Sequence, residues 1–213
     1  MFLAPAQHGC IRGYEVPGRF SACVTMRAMS FGEHLERFHP DGVHEDFRSA
    51  RAEVEERLPG FRVRRIAPAA SDKPWVYATN GAAAAIGEGE DGAEYVVLAP
   101  AADPVLVEML AALATVNADP DKRLGVGSIV NLGRPWTGSS AAKNLLVLPP
   151  YVFGPGFEVY ESPGEQRRIV VLWLVPITSA EARFVRRHGV QQFEQLMQRS
   201  EVNVVDAERG PIV

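Results

Sequence analysis

Ser140-Ala141-Ala142-Lys143 is one of the few places in this sequence where side chains stand at a spacing that covalent chemistry uses. It matches S-x-x-K, in which a lysine helps to activate a serine nucleophile. Neither S-D-N nor K-T-G follows, and the segment opens a strand where that chemistry wants a helix start. A serine hydrolase using Ser140 and Lys143 therefore stands as an alternative rather than the first reading. Gly87-Glu88-Gly89-Glu90-Asp91-Gly92 has the letters of G-x-G-x-x-G. That fingerprint needs a strand before it and a helix after it, so that helix-start amides meet a pyrophosphate. Here a strand follows, and three carboxylates inside the motif would repel the phosphates, so the segment reads as a hairpin loop. His34, His39 and His44 fall at steps of five. On a helix each would turn about 140° from the last, so they share no face. His44-Glu45 lacks the second histidine of H-E-x-x-H, and surface histidines are favoured over metal ligands. Arg183, Arg186, Arg187 and His188 precede Gly189 at a helix end, where cations complement the dipole and need no functional explanation. No complete set for a metal or cofactor emerges.

Residues suited to recognition are easier to find. From Pro74 through Asp121 there is no Lys or Arg, while Glu88, Glu90, Asp91 and Glu94 cluster near its middle. Such a run could steer a basic partner by long-range attraction, unless folding disperses its carboxylates over the surface. Trp136, Tyr151 and Phe153 sit in proline- and glycine-rich stretches. Aromatics there either anchor an interface or pack over a sheet end.

Elements that must position these residues follow from periodicity. Ile169 to Ile177 is the longest apolar run and reads as a strand buried on both faces. Thr178-Ser179-Ala180-Glu181 then matches a capping box, so this strand feeds directly into a helix. Leu145 to Leu148 is a second apolar strand, cut by Pro149-Pro150, and the aromatic segment from Tyr151 must leave the sheet. Upstream, Phe31, Leu35 and Phe38 predict a short helix before Pro40. Val43, Phe47, Ala50, Val54 and Leu58 predict one longer helix ended by Pro59-Gly60. Strands are predicted at 61–66, 75–79, 93–99 and 128–132. A helix starts at Asp103-Pro104 and carries Val105, Leu106, Met109, Leu110 and Leu113 on its apolar side. Val190, Phe193, Leu196 and Met197 mark a last helix, and Val202 to Val205 a short closing strand. Residues 1–28 show no period and are expected to form a poorly ordered or peripheral arm, leaving one domain over 29–213. The order is α+β, a central mixed and mostly antiparallel sheet flanked by helices.

With 213 residues, 46% of them hydrophobic, the chain can bury one substantial core. A net charge of −4 argues against nucleic-acid binding. No apolar run approaches the ~20 residues of a membrane helix. Two cysteines, Cys10 and Cys23, supply no disulfide framework, which fits the cytoplasm.

Four blocks carry a family resemblance: Tyr77-Ala78-Thr79-Asn80-Gly81, LGVGSIVNLGRPWTGSS from Leu124, LPPYVFGPGFE from Leu148, and VVLWLVPITSAEARFVRRHGVQQFEQL from Val170. From about Phe31 to Val205 the chain resembles the suppressor of fused family in its compact bacterial single-domain form. The strand, capping box and His-Gly of the last block are the most specific part. The resemblance implies an α+β domain without a recognised catalytic centre or cofactor that works by binding a protein. Animal members grip a peptide as an added strand between two domains, a clamp that does not transfer residue by residue. Bacterial relatives are commonly proposed as immunity proteins. The expectation is therefore a non-enzymatic cytoplasmic protein-binding domain that neutralises a toxin, contacting it through Trp136, Tyr151, Phe153, Glu88, Glu90, Asp91 and Glu94. An oligomeric regulatory subunit is a further alternative.

Overall fold

The computed structural model describes residues 30–86, 90–162 and 167–213, so the expected arm at 1–28 lies outside the described residues. Ser30 opens α1 (Phe31–Phe38) with a reciprocal capping box: its hydroxyl accepts from the Glu33 amide at 3.2 Å, and its own amide donates to the Glu33 carboxylate at 2.6 Å.

The single helix predicted over 43–58 does not form. The segment divides into β1 (Val43–Phe47) and α2 (Ala52–Arg57). The cause lies across the sheet, in β2 (Arg62–Ala67), whose arginines face the acids of β1. Arg64 holds Asp46 with two hydrogen bonds of 2.8 and 2.7 Å, Arg65 pairs with Glu45, and the Arg65 guanidinium stacks 4.6 Å from the Phe47 ring. Cross-strand pairs of this kind override the helical spacing of the apolar residues.

β2, β3 (Trp75–Asn80) and β4 (Gly92–Ala99) continue as an antiparallel meander. The hairpin between β3 and β4 is where G-x-G-x-x-G falls; its residues 87–89 lie outside the described residues. Asp103 accepts from the Val105 amide at 3.0 Å and starts α3 (Val105–Asn117). The chain then supplies β5 (Ile129–Asn131), β6 (Ala142–Leu148), β7 (Val159–Ser162) and β8 (Arg167–Thr178). The sheet order is β1-β2-β3-β4-β8-β6-β5, with β7 also paired to β8. Among the described residues only β4 and β8 run parallel, so the sheet is mixed and mostly antiparallel, as expected.

β8 is the central strand. Leu172 and Leu174 face the cluster beneath α2 and α3, while Val171, Trp173, Val175 and Ile177 face the cluster on the opposite side. Period-two alternation thus splits one apolar run between two cores, each such side chain contributing about 1.5–3 kcal/mol on burial. The Thr178–Glu181 capping box then opens α4 (Ser179–His188), and α5 (Val190–Arg199) follows across Gly189, whose φ of 87° favours glycine.

The closing strand predicted at 202–205 is absent. The Val205 amide donates to Asn203 Oδ1 and the Glu208 amide to Asp206 Oδ1, so local turns take the amides that a ladder would have used. Val204 and Val205 pack instead onto the α4–α5 side of the core.

Candidate partner-binding surface

The double proline shapes an exposed apolar feature that pairs two neighbouring side chains, Tyr151 and Val152. β6 and β7 both pair with the same edge of β8, with Leu148 opposite Trp173 and Val159 opposite Val170. Residues 149–158 bulge out between them because Pro149 and Pro150 have no amide to donate to the ladder. The excursion makes one tight turn at Tyr151–Phe153 and reverses at Gly154, φ 85°. Its inner side is pinned by aromatics. Phe153 stacks on Phe157 at 4.3 Å, and Phe157 meets Phe38 at 5.0 Å and His34 at 5.6 Å. His34 Nε2 also lies 3.2 Å from the Phe157 carbonyl oxygen. Its outer side presents Tyr151 and Val152, 63% and 57% exposed.

A groove opens on each side of this excursion. The larger, about 720 Å³, has Leu148 and Trp173 as its floor, Tyr151 and Val152 on one wall, and α5 residues around Glu194 and Met197 on the other. The Tyr151 hydroxyl donates to Glu194 Oε1 at 3.0 Å, and partial burial together with that carboxylate raises the phenol pKa. Trp173 Nε1 is buried and has no acceptor among the described residues. The smaller groove, about 480 Å³, runs past Phe153, His39, Ile66, Val76 and Leu98.

Of the residues expected to touch a partner, Tyr151 and Phe153 lie on these grooves, Tyr151 at the rim and Phe153 half-buried. Trp136 does not present a surface: it is 1% exposed, in the core against α3, and its Nε1 donates to Ser140 Oγ at 3.1 Å. Glu94 is a second correction, at 2% exposed. It accepts from the Thr79 hydroxyl and the Gly81, Ala82 and Ala83 amides. Burial pushes its carboxyl above the usual range, opposed by those donors. Glu90 and Asp91 are exposed at the entry to β4, Glu90 paired with Arg123, and Glu88 lies outside the described residues. The rest of the acidic run is spread out. Glu108 accepts from Ser49 and Ala50, while Asp119 pairs with Lys122.

The catalytic spacings come apart in three dimensions. The Ser140 hydroxyl is buried and accepts from Trp136 Nε1 and the Ala142 amide, while the Lys143 side chain is exposed at a β6 bulge. His34, expected at the surface, is 3% exposed among aromatic rings, and burial lowers its pKa. Among the described residues no group of three or more His, Cys, Asp or Glu side chains could hold a metal ion, and no helix is long and apolar enough to cross a membrane. Trp173 and the α5 face were not singled out from sequence as a site. Their signal, an apolar strand and an amphipathic helix, is that of ordinary core.

A family profile described as Suppressor of fused protein matches residues 57–210. Among solved structures, a suppressor of fused homologue from Neisseria gonorrhoeae FA 1090 superposes with a TM-score of 0.75 at 28% identity, covering 84% of this chain and 93% of that one. The Sufu–Fu complex structure matches with a TM-score of 0.64 at 10% identity, over 87% of this chain and 93% of that one. Drosophila Suppressor of Fused matches with a TM-score of 0.62 at 11% identity, and this chain, covered over 86%, spans 50% of it. The last two likenesses concern the fold. No curated protein sequence matches significantly. With most of its length, β8 and both following helices included, inside the family profile, the chain belongs to the suppressor of fused family.

Proposed function

We propose that this chain is a non-catalytic protein-binding domain that engages its partner on the excursion bearing Tyr151 and Val152. The observation that carries this reading is that two adjacent large apolar side chains stand 63% and 57% exposed beside an apolar groove, on a turn held by stacked aromatics. Scattered exposed apolar residues are ordinary, but an aromatic anchor beside a pocket is where binding energy concentrates. A relative of the same fold has been solved in the Sufu–Fu complex, which supports protein binding as the use of this scaffold.

The finer role we propose is neutralisation of a toxin in the bacterial cytoplasm. The resemblance to compact bacterial members supports it. The test is co-expression with the product of the adjacent reading frame and isolation of a stoichiometric complex. Tyr151→Ala with Val152→Ala should weaken that complex at least tenfold, about 1.4 kcal/mol, without altering Tm. Repeated co-purification of a small molecule and no protein would sink the reading.

A further inference from the structure

The excursion that carries Tyr151 and Val152 can lift without breaking the sheet. β6 ends at Leu148 and β7 begins at Val159, and the amides between them stay local. Tyr151 donates to the Pro149 carbonyl, Phe153 to Pro150 and Gly154 to Tyr151, while Gly156 donates to the Glu158 carboxylate. What seats the excursion on the body is a pair of rings, and each of them rests on a histidine. Phe153 meets the His39 ring edge-on at 5.6 Å. Phe157, fully buried, stacks on His34 at 5.6 Å and lies 6.5 Å from His39. His34 is further enclosed by the rings of Phe31, Phe38 and Tyr160, at 5.8, 5.1 and 5.5 Å.

Both imidazoles suit this seat only while neutral. His39 Nε2 is closed off from water and has no hydrogen-bond partner among the described residues, so a charge on that ring goes uncompensated. His34 Nε2 has one neighbouring acceptor, the Phe157 carbonyl oxygen at 3.2 Å, which belongs to the excursion itself. Burial lowers both pKa values; at His34 the Phe157 carbonyl opposes this and Arg37, one turn along α1, reinforces it, and at His39 the reinforcing group is His44 of β1. His44 Nε2 in turn lies 2.9 Å from the His39 carbonyl oxygen. The carboxylates of the surrounding elements are committed elsewhere. Glu33 caps α1, Glu36 and Asp46 hold Arg64 of β2, and Glu158 takes the Gly156 amide. Asp41 and Lys73 flank the smaller groove. No carboxylate is among the charges that act on either ring.

We propose that this aromatic seat is an acid-sensitive latch: protonation of His34 and His39 unseats Phe157 and Phe153, and the excursion presenting Tyr151 and Val152 comes away. The inference rests on the protein-binding reading and adds the condition that governs it, a binding surface preformed near neutral pH and lost in acid. The sign follows from linkage. A histidine kept neutral by burial takes up its proton once released, so the seat holds fully above about pH 6.5 and weakens as pH falls. With a released value of about 6.5, one ring favours release by up to about tenfold at pH 5.5, and two rings by up to about a hundredfold.

Nuclear magnetic resonance of the full chain at pH 7.5 and 5.5 tests the latch without any partner. The ring resonances of Phe153 and Phe157 should lose the shifts their stacking causes, and amide exchange at Phe153 and Gly154, corrected for intrinsic rate, should accelerate at least tenfold relative to Leu174 of the central strand. A His34→Phe/His39→Phe double variant, its fold verified by circular dichroism, should show neither change; if it does not fold, His39→Phe alone should reduce the acceleration at least threefold. A seat that stays closed at pH 5.5, an acceleration shared equally by Leu174, or a response undiminished in the variants overturns the proposal. With a partner in hand, affinity should fall at least tenfold between the two pH values in the natural chain and less than threefold in the double variant. Partner binding with an excursion that never opens refutes the latch and leaves protein binding intact. An excursion that opens on cue in a chain that binds no protein supports the latch and refutes the reading on which its purpose rests.

Discussion

The Glu94 carboxylate accepts one hydroxyl and three amide hydrogen bonds, which makes it the hub of the turn leaving β3. Thr79, which donates to it, also accepts from the Tyr95 amide at 2.8 Å, so the hub ties both strands of the hairpin. Glu94→Gln turns an amide NH2 toward groups that are themselves donors. It should cost roughly 1–3 kcal/mol, read as a lower denaturant midpoint at unchanged slope. Ser140→Ala leaves the buried Trp136 N–H without its acceptor and should destabilise by a similar roughly 1–3 kcal/mol. Any hydrolytic turnover should survive that substitution, because the hydroxyl is a structural acceptor. These residues read in sequence as surface charge and nucleophile; their burial depends on β3 and α3, which lie far from them along the chain.

Two elements are secured by titratable groups. The C-terminal segment returns to α4, where Arg209 donates to Glu181 at 2.6 and 3.1 Å and to the Pro176 carbonyl at 2.8 Å. Ile212 and Thr178 amides also donate to this carboxylate. Burial alone would raise the Glu181 pKa, but Arg209 and the amides outweigh it and the pKa is lowered. A depressed carboxylate contributes stability above its unfolded value of about 4.3 and loses it as pH falls through the folded value. Arg209→Met leaves a buried unpaired charge and should cost about 3–5 kcal/mol near neutrality in chemical denaturation. α1 behaves similarly. The His34 pKa is lowered chiefly by burial, which the Phe157 carbonyl opposes and Arg37 reinforces. Stability should therefore be full above about pH 6.5 and decline as pH falls below it toward the folded value. His34→Phe should flatten this dependence in denaturation series at pH 7.5 and 5.5; His39, also lowered by burial, supplies the remainder. If the slope is unchanged in that variant, His34 is not its source.

At the scale of the whole molecule, the acidic run of the sequence does not act as one patch among the described residues. Glu94 is buried, and Glu108, Asp119 and Glu90 are engaged locally. A partner seated in the larger groove meets one carboxylate, Glu194, so its affinity should change by less than about threefold between 0.1 and 0.5 M salt, since only exposed long-range pairs are screened. A steep salt dependence would favour contact at Glu90 and Asp91 instead. The sequence by itself determined the central strand, the capping box at Thr178–Glu181, the helix after Asp103 and the proline break, because alternation, cap chemistry and a missing amide act within a few residues. Only the tertiary structure decided that 43–58 divides, that Trp136, Glu94 and His34 go inside, and that Tyr151 faces α5 across a groove. Three of those outcomes are tied to a partner distant in the chain: Arg64 for Asp46, Phe157 for His34, Glu194 for Tyr151. Periodicity reports which side of an element is apolar, and it carries no information about which distant surface will cover that side.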